Sequence, residues 1–199
     1  MAVREQIMIP AQKVYRMLGK ESLWYVAERC QALLSAEKIP YSNCGGVAVC
    51  LHGYQRNTVD LDLVIRSVDT DGVRKTLGDG GTVWDRAQAR FRSPAGIAVQ
   101  FRIAGNTAGK GSEVFIPDPM GDLNVQQREG IIVVRLSRLI EMKIACRTSN
   151  LRRTHKDFAD VVELIAARNL DRSIARFLHP SLRATFRELV HAANANNHD

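Results

Sequence analysis

CGGVAVCLHGYQRNTVDLDLVIR, residues 44–66, is the stretch from which the rest of the chain can be read. Asp60 and Asp62 stand one residue apart in a run to Arg66 that is otherwise filled by Leu, Val and Ile. Strand periodicity sends both carboxylates to one face and turns Leu61 and Leu63 to the core. Two carboxylates side by side repel unless a cation lies between them. Paired acids on a strand therefore point to a divalent metal, and all-oxygen ligands favour Mg²⁺. Upstream, Gly45 and Gly46 precede Val47 to Leu51, a helical turn by its make-up. Glycines there let the backbone come close to a phosphate, with N–H groups at a helix start to bind it. Alone, the glycine pair also suits a tight turn, and the two acids suit a solvated strand face. The fixed order Gly-Gly, Arg56, Thr58, Asp60, Asp62 favours the metal and phosphate reading.

Outward from this stretch the periodicities alternate between helix and strand. Residues 21–37 place Leu23, Val26, Ala27, Cys30, Leu33 and Leu34 at helical spacing, and Pro40 ends the run. Residues 69–78 read as a short helix stopped by glycines. Ile97, Val99, Phe101 and Ile103 alternate with Ala98, Gln100 and Arg102 as in a strand. Glu113 to Ile116 and Ile131 to Val134 read as two more strands, and Ser137 as the N-cap of a following helix. From there the pattern is helical. Leu136, Leu139, Ile140, Ile144 and Ala145 form one face, with Cys146 still inside that helix. Phe158, Val161, Val162, Leu164 and Ile165 form another, and Leu182, Phe186, Leu189 and Val190 mark a last helix.

The order GG, Ala48, His52-Gly53, Arg56, Thr58, Asp60, Asp62 resembles the minimal DNA polymerase β-like nucleotidyltransferases, particularly their abortive-infection toxin branch. FIPDP (115–119), GIIVVRLSRLIEMKIACR (130–147) and RRTHKDFADVVELI (152–165) are similar to later patterns of that branch. The resemblance spans roughly residues 40 to 170. It implies an α+β nucleotidyltransferase fold, a small mixed β-sheet flanked by helices, with a helical C-terminal part. Residues 1–135 are then the core with its N-terminal helix, and 136–199 pack on the same core. By the resemblance, Asp60 and Asp62 hold Mg²⁺ on NTP phosphates, Gly45 and Gly46 cradle the triphosphate, and Lys143 reaches it. Arg56 and Thr58 touch phosphate or orient the acidic strand. A third carboxylate completes such sites, and here Gln100 fills its position. An amide donates a neutral oxygen to a cation but is no base. Asp85 and Glu113 are the nearby acids that can stand in. For Lys143, alone on an apolar helix, the other reading is a side chain that reaches solvent. Lys156, Asp157 and Asp160 also suit simple pairing with neighbours. His52 suits packing better than chemistry.

The bulk numbers fit this frame. At 199 residues, 45% hydrophobic, the chain can bury a core without disulfides or structural zinc. Cys30, Cys44, Cys50 and Cys146 show no zinc spacing and read as packing residues. No apolar run approaches a membrane span and the N-terminus has no signal core, so a cytoplasmic protein with no membrane partner is expected. The net charge of +7 suits a polyanion such as NTP or tRNA. Basic residues cluster at Arg147, Arg152, Arg153, His155 and Lys156. The leading expectation is transfer of a nucleoside monophosphate from an NTP to a hydroxyl on RNA (tRNA) or protein. The toxin-type resemblance adds a cognate antitoxin as regulator. The alternative is a degenerate member that binds nucleotide or a partner without catalysis, because of Gln100. A basic nucleic-acid-binding module is a third reading.

Overall fold

The structure, a computed structural model, describes residues 10–13, 21–146 and 151–195. Helix α1 (Glu21–Ala36) buries Leu23, Val26, Ala27, Cys30 and Leu34, the stripe its spacing dictates. It ends just before Lys38, which takes φ 55° ahead of Pro40. Seven strands follow: β1 (Tyr41–Cys44), β2 (Asp60–Ile65), β3 (Val83–Asp85), β4 (Arg90–Arg92), β5 (Ala98–Ile103), β6 (Val125–Arg128) and β7 (Ile131–Val134). They form one mixed sheet in the order β3-β4-β5-β2-β1-β7-β6. The pairs β2–β5 and β1–β7 are parallel and the others antiparallel.

The acidic strand lies at the middle of this sheet. Leu61, Leu63 and Ile65 are fully buried, while Asp60 and Asp62 on the alternate face stay partly open. The short helix α2 (Gly45–Leu51) packs on β1, β2 and β7, and α3 (Thr70–Asp79) packs against α1. Helices α4 (Leu136–Ala145), α5 (Leu151–Ala167) and α6 (Arg183–Ala195) follow, the last two joined by 3-10 turns at Arg172–Phe177 and Pro180–Leu182. Leu139 and Leu164 belong to the apolar cluster of the sheet. Ile140, Ile144, Val161, Ile165, Phe186 and Val190 form a second cluster among α4, α5 and α6. Helices α4 and α5 thus carry apolar residues to both sides.

Three expectations are corrected. Glu113–Ile116 is not a strand; Phe115 makes a single bridge to Thr107 within a run punctuated by Gly111, Pro117 and Pro119. Ser137 is not the cap of α4; the helix starts at Leu136 behind Arg135, whose side chain gives no capping bond. Cys146 lies one residue past the end of α4. Arg147, the side chains of Arg152 and Arg153, and most of the N-terminal segment read above lie outside the described residues. Among the described residues no helix is long and apolar enough to cross a membrane.

Candidate active site

The loop before β2 and the turn after β1 bring the quoted motif onto itself. Gly45 takes φ +65°, a conformation that costs an L side chain about 1 kcal/mol or more. A Cβ there would also lie 2.2 Å from Asp62 Oδ2. At Gly46 a Cβ would stand 2.4 Å from Thr58 Oγ1 and 3.1 Å from Arg56 Nη2. Only glycines fit both places, and the reason is the approach of the acidic strand. The Thr58 hydroxyl in turn donates to Asp60 Oδ1 at 3.1 Å.

Strands β2 and β5 run parallel in register, so Asp62 stands beside Gln100 and Val64 beside Arg102. The Gln100 amide donates to Asp60 Oδ2 at 3.3 Å. Arg102 Nη2 lies 3.6 Å from Asp62 Oδ1. Beyond β5, Arg92 of β4 pairs with Ala98 of β5, which carries Arg90 and Arg92 onto the sheet face of Gln100 and Arg102. Cys44 sits opposite Asp62 on β1. Burial first, and the Asp62 charge second, push its thiol well above the usual range, so it stays protonated.

The other wall comes from the helices. Lys143 of α4 is buried, not extended to solvent, and its ammonium donates to Asp157 Oδ1 at 2.9 Å and Asp160 Oδ2 at 2.6 Å. Arg56 Nε stands 2.7 Å from Asp160 Oδ1, an ion pair by distance although the N–H is not aimed along a hydrogen bond. Asp160, itself 2% exposed, therefore anchors two cations from distant parts of the chain. Buried charges persist only when paired in this way.

These residues line one cleft of about 470 Å³, which includes Gly45, Gly46, Arg56, Asp60, Asp62, Gln100, Arg102, Lys143, Lys156 and Asp157. Of the expected site residues, Thr58 lies behind the glycines and is absent from the lining. The stand-in acids do not reach the cleft: Asp85 accepts from Arg92 on the outer hairpin, and Glu113 is exposed. His52 is fully buried with Nε2 2.8 Å from the Val134 carbonyl oxygen, a packing role. Arg102 and the pairing of Lys143 with Asp157 and Asp160 were not read from the sequence as one site. The signal available for Arg102 was its place two residues beyond Gln100 in an alternating strand run.

Among the described residues no group of three or more His, Cys, Asp or Glu side chains assembles as a metal centre. Two carboxylates remain, and Mg²⁺ is commonly held by one or two carboxylates together with substrate phosphates. The donor set fits that ion in the company of a phosphate ligand.

No family model matches the chain, and no curated protein matches it in sequence. Solved structures do resemble it. ANT(2″)-Ia in complex with adenylyl-2″-tobramycin superposes at a TM-score of 0.51 and 11% identity, over 84% of this chain and 98% of that one. The solution structure of the antibiotic-resistance factor ANT(2″)-Ia gives 0.51 and 12%, over 86% and 94%. JHP933 from Helicobacter pylori gives 0.46 and 13%, over 76% and 71%. The seven-stranded mixed sheet with its helices is a nucleotidyltransferase fold.

Proposed function

We propose that the cleft binds an NTP and transfers its nucleoside monophosphate to an acceptor hydroxyl. One observation carries this reading: Asp60 and Asp62 open side by side onto a cleft floored by Gly45 and Gly46 and walled by Lys143. Asp60 and Asp62 would hold Mg²⁺, which when bound offsets charge on the phosphates and on the departing pyrophosphate. The glycines leave room for the triphosphate against the backbone. Lys143 and Lys156 supply positive charge on the helical wall. In the reaction the acceptor oxygen bonds the α-phosphorus and the α–β bridge breaks. Pyrophosphate leaves with the bridging oxygen and its electron pair, and the hydroxyl proton passes to solvent. Gln100 offers no base for that proton. Phosphoryl transfer rests mainly on positioning and electrostatics, so the loss slows the step without forbidding it.

The family resemblance supports tRNA or another RNA, or a protein, as acceptor and a cognate antitoxin as regulator. It also supports the division into a core over 1–135 and a helical part over 136–199. The neighbour that holds adenylyl-2″-tobramycin adds a small-molecule hydroxyl as an acceptor to test. A second reading, a nucleotide-binding protein without catalysis, is favoured by the Gln100 amide at Asp60. The deciding experiment supplies each α-³²P-NTP with Mg²⁺ to total RNA, to lysate protein and to tobramycin. Label transfer by the wild type, lost in Asp60→Ala and Asp62→Ala, is the expected result. NTP binding without transfer to any acceptor would establish the second reading. Unchanged NTP affinity in the double variant would remove both acids from the site.

A further inference from the structure

Both carboxylates of the pair already have partners from the protein. Asp60 accepts from Thr58 on one oxygen and from Gln100 on the other. Asp62 faces the Arg102 guanidinium at 3.6 Å. The repulsion that two neighbouring carboxylates feel is therefore eased from within the chain, with Arg102 contributing a full positive charge and Thr58 and Gln100 neutral dipoles. Arg102 reaches this place because β5 runs parallel to β2, two residues beyond Gln100 on the same face. Its side chain is 35% exposed and the pair is not at contact distance, so the guanidinium is free to turn into the cleft. A planar guanidinium matches a phosphate as well as it matches a carboxylate.

We propose that Arg102 is a resident counter-cation that holds Asp62 until a nucleotide draws it away, so that nucleotide and divalent ion bind this cleft as a coupled pair. A divalent ion alone must displace Arg102 from Asp62. A triphosphate engages the guanidinium and takes its charge off Asp62 for the ion. Because coupling free energies are reciprocal, the ion strengthens nucleotide binding by the same factor. The inference rests on the nucleotide-binding reading above.

The test compares the full-length wild type with Arg102→Gln and Arg102→Lys. Mn²⁺ affinity without nucleotide is read by electron paramagnetic resonance, since oxygen ligands that suit Mg²⁺ also suit Mn²⁺. Affinity for each of the four fluorescent ribonucleoside triphosphates is read in EDTA and again with Mg²⁺. Arg102→Gln is expected to bind Mn²⁺ about fivefold more tightly, the scale of a partly exposed ion pair. The same variant is expected to bind metal-free nucleotide about fivefold more weakly, with Arg102→Lys between it and wild type. The two shifts have opposite signs, whereas a variant that folds poorly loses both affinities, and Arg102→Lys then carries the comparison. Mn²⁺ affinity that is unchanged or weakened in a folded variant overturns the proposal, as does unchanged metal-free nucleotide affinity. A wild type that binds no nucleotide even with Mg²⁺ defeats the earlier reading as well. A wild type that binds it with no dependence on Arg102 defeats this inference alone.

Discussion

The glycine at position 46 is decided by a neighbour far along the motif. A Cβ there meets the Thr58 side chain and the Arg56 guanidinium, so Gly46→Ala must push β2 away or displace both. Overpacking of this kind costs about 1–3 kcal/mol. We expect Gly46→Ala to melt earlier and to lose NTP affinity together, by thermal denaturation and calorimetric titration. His52 carries a different prediction. Burial lowers its pKa from 6.5 to about 4, against the opposing hydrogen bond to Val134. The unfolded chain thus binds a proton between those values that the folded chain does not. Stability from this group is complete above pH 6.5 and is lost as pH falls toward 4, by roughly 3 kcal/mol at most. Urea titrations from pH 7 to 4 should show that slope, and His52→Gln should flatten it. At this scale Asp60, Asp62 and the glycines were legible, because their spacing is local and strand period two fixes a face. The pairing of Lys143 was not. Its partners Asp157 and Asp160 lie on another helix, and only packing of α4 on α5 brings them within 3 Å.

Strand β5 shows how register turns one substitution into a chemical change. Gln100 stands beside Asp62 in the parallel ladder and bonds Asp60, so Gln100→Asp removes a donor and adds a third negative charge beside the pair. Without metal that variant is expected to melt earlier; with Mg²⁺ or Mn²⁺ it should recover and bind the ion more tightly. Melting curves with and without the ion check both halves, and a variant indifferent to metal would detach Gln100 from the site. The alternation of Val99 and Phe101 with Gln100 made this strand readable. The hairpin β3–β4 was not readable, because each strand has three residues and VWD and RFR mix charge with aromatics. What holds it is tertiary: Trp84 against Phe91 and Phe91 against Phe101, edge to face. Strand β6 escaped for a like reason, since VQQR carries no alternation and is defined by its pairing with β7.

Over the whole molecule, the cleft is closed by charges that the chain separates widely. Asp160 on α5 holds Arg56 from the loop before β2 and Lys143 from α4. Removing the acid leaves the half-buried Arg56 without its counter-charge and buried Lys143 with Asp157 alone, a loss toward the lower end of the about 3–5 kcal/mol seen when a buried pair is broken. Asp160→Ala should lower the urea midpoint by that equivalent, and Lys143→Met with Asp160→Leu should recover part of it while NTP binding stays lost. The motif and the helical second half were legible as separate patterns. Their union was not, because no periodicity records which helix meets which loop. That union has a consequence in time. A ribosome delivers the sheet from its N-terminal side, and Arg56 leaves the exit tunnel long before Asp160. At about 5–20 residues per second the intervening chain takes several seconds to appear. During that interval the glycines and both aspartates are already made, yet Arg56 of the loop, and then Lys143 of α4, have no Asp160 to anchor them. The helical wall therefore sets only after α5 has emerged, so the order of synthesis makes closure of the cleft a late event.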